Sequence, residues 1–95
     1  MIEDKYISLS YKLQQNFPNP FNPSTTINYS LAKNGFVKII IYNILGSKVA
    51  DLVNENKTAG IYLFNFNAAA LPSGMYFYRF ESGTYSDIKK FVLLK

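Results

Sequence analysis

The sequence predicts an all-β fold, an antiparallel sandwich of about seven short strands, and three observations carry that expectation. Apolar residues recur at period two in one segment after another, with aromatic and β-branched residues in the alternating places. Turn signals separate these segments at roughly 8–12-residue spacing, the mark of a sandwich or barrel. No window of useful length shows helical periodicity, and residues 47–56 are the only stretch where a short helix can be argued.

Residues 1–10 are mixed and polar and read as linker; residues 11–95 read as one domain. Residues 11–15 form a short alternating strand. Asn16-Phe17-Pro18-Asn19-Pro20-Phe21-Asn22-Pro23-Ser24 follows, where three prolines exclude helix and central strand. Each residue before a proline is pushed to an extended conformation, so this is a rigid loop with Phe17 and Phe21 available as anchors. Residues 25–31 alternate, with Ile27, Tyr29 and Leu31 pointing one way.

Lys33-Asn34-Gly35 turns the chain into the strongest strand, residues 36–45. Val37, Ile39 and Ile41 share one face, while Ile40 and Tyr42 share the other, so both faces are expected to be partly covered. Leu45-Gly46-Ser47-Lys48 is a turn, residues 48–53 a weaker strand and residues 54–60 a polar loop. Residues 60–67 place Tyr62, Phe64 and Phe66 together. Residues 75–80 do the same with Tyr76, Tyr78 and Phe80 after the Leu71-Pro72-Ser73-Gly74 connection. Glu81-Ser82-Gly83-Thr84 is a hairpin turn, and residues 85–94 are the last strand.

The expected core is Ile27, Tyr29, Leu31, Val37, Ile39, Ile41, Phe64, Phe66, Tyr76, Tyr78 and Phe80. A buried Tyr needs a partner for its hydroxyl. The aromatic rows could instead form a sugar-stacking platform, but alternating aromatics at strand spacing normally face inward. Their neighbours on the opposite face, such as Met75 and Phe77, are fewer.

Composition excludes much chemistry. The chain has no Cys and no His, which removes disulfides, thiolate metal sites and the commonest general base. The acids Glu3, Asp4, Asp51, Glu55, Glu81 and Asp87 lie far apart, with no pair placed for glycoside hydrolysis. Net charge is +4 without a dense basic stripe, so nucleic acid is not an expected partner. No catalytic residue, cofactor or metal site is expected. No segment approaches the ~20 apolar residues of a membrane helix. The first residues lack the features of a signal peptide, so if the protein is exported its signal lies outside this chain, and Met1 is then an expression start or the edge of a fragment. Asn28-Tyr29-Ser30 and Asn56-Lys57-Thr58 match the glycosylation pattern, as chance allows in an Asn-rich chain.

Lys89-Lys90-Phe91-Val92-Leu93-Leu94-Lys95 ends the chain as an apolar run flanked by lysines. Lysines guard an edge strand against aggregation. An exposed terminal strand is also a handle that a receptor can grip by strand addition.

Three blocks carry a family resemblance. The first runs from Leu13-Gln14-Gln15-Asn16-Phe17-Pro18-Asn19-Pro20-Phe21-Asn22-Pro23 to Ser24-Thr25-Thr26-Ile27. The second is Ile41-Tyr42-Asn43-Ile44-Leu45-Gly46 with Val49. The third runs from Leu71-Pro72-Ser73-Gly74-Met75-Tyr76 to Lys89-Lys90 and Leu93-Leu94-Lys95. Over residues 11–95 the chain resembles the C-terminal sorting domain of the type IX secretion system, type A, of the Por secretion system sorting family. One departure is Phe66, near a position where many members carry Trp.

The resemblance implies an immunoglobulin-like sandwich at the C-terminus of a secreted or surface protein of the Bacteroidota. It implies a covalently linked N-terminal cargo, recognition by an outer-membrane translocon, and removal by a sortase-like surface protease at a site expected within residues 1–12. The cargo would then lie outside the cell or on its surface after passing the periplasm. Gly74, Tyr76, Lys89, Lys90, Leu93, Leu94 and Lys95 are the residues expected to serve translocon recognition, with Gly74 permitting a tight approach into the Tyr76 strand. Pro18, Asn19, Pro20, Phe21, Asn22, Pro23 and Gly46 are expected to be structural. The rival readings are a non-catalytic carbohydrate- or protein-binding accessory module of a surface enzyme, and a structural cap that self-associates.

Overall fold

A computed structural model describes residues 9–95. Of the expected linker, residues 1–8 lie outside the described residues. Seven strands make up the fold: β1 (Lys12–Leu13), β2 (Ser24–Leu31), β3 (Gly35–Tyr42), β4 (Lys48–Lys57), β5 (Gly60–Asn67), β6 (Gly74–Ser82) and β7 (Tyr85–Leu93). They form a three-stranded sheet in the order β1-β2-β5 and a four-stranded sheet in the order β4-β3-β6-β7. Every strand pairing is antiparallel. The two sheets pack face to face as the sandwich that period-two alternation requires, since each sheet has one apolar face to bury.

The turns follow from their residues. Asn43 accepts hydrogen bonds on Oδ1 from the Leu45 and Ser47 backbone N–H groups at 2.9 and 3.0 Å, and Gly46 takes φ +83° to close the turn. Gly83 has φ +59° at the first place of the two-residue β6–β7 hairpin, the position a type II′ turn reserves for glycine.

The expected core residues are buried, except Phe64, which is half-buried on edge strand β5. The inward rows of Tyr and Phe therefore build the core and leave no stacking platform there. Leu13, Phe21, Val53, Ala68, Phe91 and Leu93 complete the core. Phe91 is its hub: its ring centroid lies 5.1 Å from Phe21, 6.0 Å from Phe66, 5.3 Å from Tyr76 and 6.1 Å from Tyr78.

Two expected boundaries need correction. Residues 54–57 continue β4, because Phe36↔Asn56, Val37↔Glu55 and Lys38↔Asn54 pair in the ladder. That polar stretch is an edge strand facing water, so its composition resembles a loop; the same pairing removes the helix argued for residues 47–56. Strand β3 ends at Tyr42, because Asn43 starts the turn that β3 was expected to run through. Of the two Phe side chains offered as anchors, only Phe21 is buried; Phe17 is 80% exposed.

Replacing the hub tests this packing. Phe91→Ala is expected to cost about 3–5 kcal/mol in chemical denaturation, the range for deleting a buried aromatic ring. The exposed Phe17→Ala is expected to stay within about 0.5 kcal/mol of the parent.

Candidate functional site

The residues singled out in the sequence converge at one end of the sandwich, where β7 runs beside the proline block. β7 is an edge strand of the four-stranded sheet. Its even-numbered residues turn their backbone groups away from β6, toward what would be an open edge. An open edge invites pairing with another chain.

The proline block closes the C-terminal half of that edge. Phe21 N–H donates to Val92 O at 3.1 Å, and Leu94 N–H donates to Phe21 O at 3.0 Å, a parallel bridge onto the last strand. Val92 N–H donates to Asn19 Oδ1 at 2.9 Å, and Gln15 Nε2 donates to Lys90 O at 2.6 Å. The block's three Xaa-Pro bonds, before Pro18, Pro20 and Pro23, are cis. Proline supplies no N–H, so the contacts fall to the residues between. The Phe21 ring at the same time plugs the core between Phe66 and Phe91.

A buried polar network holds the block in place. Tyr78, fully buried on β6, donates its hydroxyl proton to Gln14 O at 2.7 Å and accepts from Asn16 N–H at 2.8 Å. Asn16, itself buried, donates from Nδ2 to Pro18 O at 3.1 Å and to Thr25 Oγ1 at 3.0 Å. Thr25 Oγ1 donates to Pro18 O at 2.8 Å. Pro23 O accepts from Ala68 N–H at 2.8 Å. Pro20 and Asn22 are exposed and make none of these contacts.

The seven expected recognition residues divide by burial. Tyr76 and Leu93 are core residues, Tyr76 stacked on Phe91 with its hydroxyl donating to Pro72 O at 2.6 Å. Both side chains are turned into the core of the folded domain, away from its surface. Gly74 pairs with Leu93 across the ladder. A side chain at Gly74 would meet no atom within 4 Å, so tight approach is not what the glycine supplies; its φ of +151° is.

Lys90, Leu94 and Lys95 are exposed, and Lys89 is half-buried with its amine 3.9 Å from Asp87. Lys95 is tied down by its N–H on Ser73 Oγ at 3.0 Å and its amine on Ala69 O at 2.5 Å. The expected grip by strand addition meets an edge that the proline block already takes up along residues 92–94, with Gln15 on the Lys90 carbonyl. Sequence reading missed Gln15, and expected Asn19 to be structural without placing it against β7, because a loop offers no periodicity to read.

Residues 15–94 match the family of secretion system C-terminal sorting domains. No curated protein matches the chain.

Two measurements test the network. Tyr78→Phe strands the buried Asn16 N–H, removes the donor to Gln14 O, and is expected to cost about 1–3 kcal/mol in urea denaturation. Burial pushes the Tyr78 hydroxyl up from 10.0 to about 12, against the pull of the Asn16 N–H. Burial, with the neighbouring Tyr62 and Glu55, does the same to Tyr29, also to about 12. The raised values mean that the fold favours the neutral phenols. Their contribution is complete below pH 10 and is lost as pH rises from about 10 to about 12. The urea midpoint is expected to fall across that window.

Proposed function

The chain belongs to the family of secretion system C-terminal sorting domains and is a C-terminal sorting signal for type IX secretion; from that premise we propose that the folded sandwich is itself the address, and that its last strand displays it. Membership carries with it a type IX system, a cargo N-terminal to the signal, and export to the cell surface or beyond. The outer-membrane translocon then reads the Lys-flanked end of β7. Lys89, Lys90, Leu94 and Lys95 offer the contacts, while Gly74, Tyr76 and Leu93 hold that end in shape. A sortase-like surface protease cuts ahead of the domain, within residues 1–12. The domain does no chemistry of its own, in keeping with a family defined by sorting.

The observation that best supports this reading is the docking of the tail. Every backbone N–H named on the outer edge of residues 92–95 has a partner within the domain, from Asn19, Phe21 or Ser73. A tail so held presents a fixed pattern of cations, and rim charges steer encounter and orientation more than they add affinity.

Deleting residues 89–95 would be uninformative, since it removes Phe91 and Leu93 from the core. The test is Lys89→Ala, Lys90→Ala and Lys95→Ala together, on residues 11–95 fused to a signal-peptide-bearing reporter in a bacterium with this secretion system. The triple variant is expected to keep its unfolding midpoint within about 1 kcal/mol of the parent. Its surface reporter is expected to fall at least about tenfold, the change that one to two lost contacts produce. Surface levels equal to the parent would overturn the role of the lysines.

A further inference from the structure

An antiparallel sandwich normally shows water a polar face on each side. The three-stranded sheet comes close, with Thr26, Asn28, Ser30 and Asn65 outward and Ile61 and Leu63 as its apolar members. The four-stranded sheet does not. Its register sets Tyr42 beside Phe77 and Phe77 beside Lys90 in one row, and Ile40 beside Arg79 and Arg79 beside Ile88 in the next. Ile88 is 52% exposed, and the adjoining turn holds out Ile44 and Leu45 at 68% and 86%.

These residues shape a trough. A groove of about 340 Å³ lies between Tyr42, Ile44, Phe77, Arg79 and Ile88. A second, of about 370 Å³, lies between Gln15, Phe77, Ile88, Lys89 and Lys90. Phe77 and Ile88 floor both, so the two run together from the Asn43–Gly46 turn to the edge that the proline block closes. The trough also takes in the turn block Ile41-Tyr42-Asn43-Ile44-Leu45-Gly46, whose two exposed apolar side chains the packing of the domain leaves unused.

We propose that this trough is the docking surface for a partner protein, which lays an extended segment along it with an apolar side chain on Phe77 and Ile88 and a carboxylate on Lys90. The proposal rests on the sorting reading and names a surface for it. Charge selects the occupant. The lining carries Arg79, Lys89 and Lys90 and no carboxylate. Arg79 Nε is held 2.6 Å from Glu81, out of line for a hydrogen bond, and Lys89 has Asp87 nearby. Lys90 has no ion-pair partner among the described residues, so it is the cation left for an incoming acid. A second copy is disfavoured, because it would bring a like-charged trough on a chain of net charge +4.

The test uses the same reporter fused to residues 11–95, with Ile88→Asp and Lys90→Glu as trough variants. Leu63→Asp and Lys12→Glu make the same chemical changes on the three-stranded sheet. All four purified domains are checked for an unchanged unfolding midpoint. The expected result is at least a tenfold loss of surface reporter for each trough variant and parental levels for both controls. Parental export of the trough variants, or equal losses in the controls, would overturn the proposal while leaving the sorting reading in place. Failure of the parent domain to export the reporter would overturn both. Sedimentation and flotation with phosphatidylglycerol vesicles decide the other occupants. A dimer or vesicle complex abolished by Ile88→Asp, with export unchanged, would assign the trough elsewhere and also overturn the proposal.

Discussion

An open sheet edge has to be paired or protected, and this domain meets that requirement at β7 with its own proline block. The hydroxyl of Tyr78 is the pin. It reaches from the four-stranded sheet across the core to Gln14 and Asn16, and so fixes where the block begins. From there Asn16 and Thr25 hold Pro18, Asn19 and Phe21 meet the backbone of Val92 and Leu94, and the Phe21 ring enters the core. With no cysteine to form a disulfide, a chain of this length depends on such closure, because a small domain buries a smaller share of its surface than a large one.

The same closure shapes the proposed recognition surface. Because the block takes up the edge of the last strand, what β7 has left to offer is side chains. On one side these are Phe91 and Leu93, spent on the core. On the other they are Ile88 and Lys90, which face water beside Phe77. A sorting signal benefits from carrying its information on a fixed fold, where the side chains meet a reader already oriented and little entropy is lost on binding.

The strands were legible because period two is a strong signal when one face is buried. Val37, Ile39 and Ile41 or Tyr76, Tyr78 and Phe80 leave no ambiguity about which side is inside. Three things were not legible. The stretch Asn54–Lys57 has no apolar alternation, because an edge strand exposed on its outer side pairs through backbone alone; only the ladder with β3 shows it. Phe91 and Leu93 were hidden by the lysines around them, since a Lys-rich tail reads as surface even when alternate residues turn inward. Phe17 and Phe21 are each flanked by one Asn and one Pro, in opposite order, and the path of the chain decides that Phe21 is the plug. The trough was half visible, in the expectation that Ile40 and Tyr42 have partial cover; the register was needed to bring Phe77, Ile88 and Lys90 to them.

The central claim is that the proline block, pinned by Tyr78, closes the edge of the last strand. Amide hydrogen exchange at Val92 and Leu94 tests it most directly, with the Phe91 amide as internal reference for opening of the sheet. The account predicts that Val92 and Leu94 are protected in the parent domain. In Tyr78→Phe their protection should fall well below that of Phe91. Exchange of both amides at the rate of an unprotected edge in the parent, or protection that follows Phe91 unchanged in the variant, would contradict it.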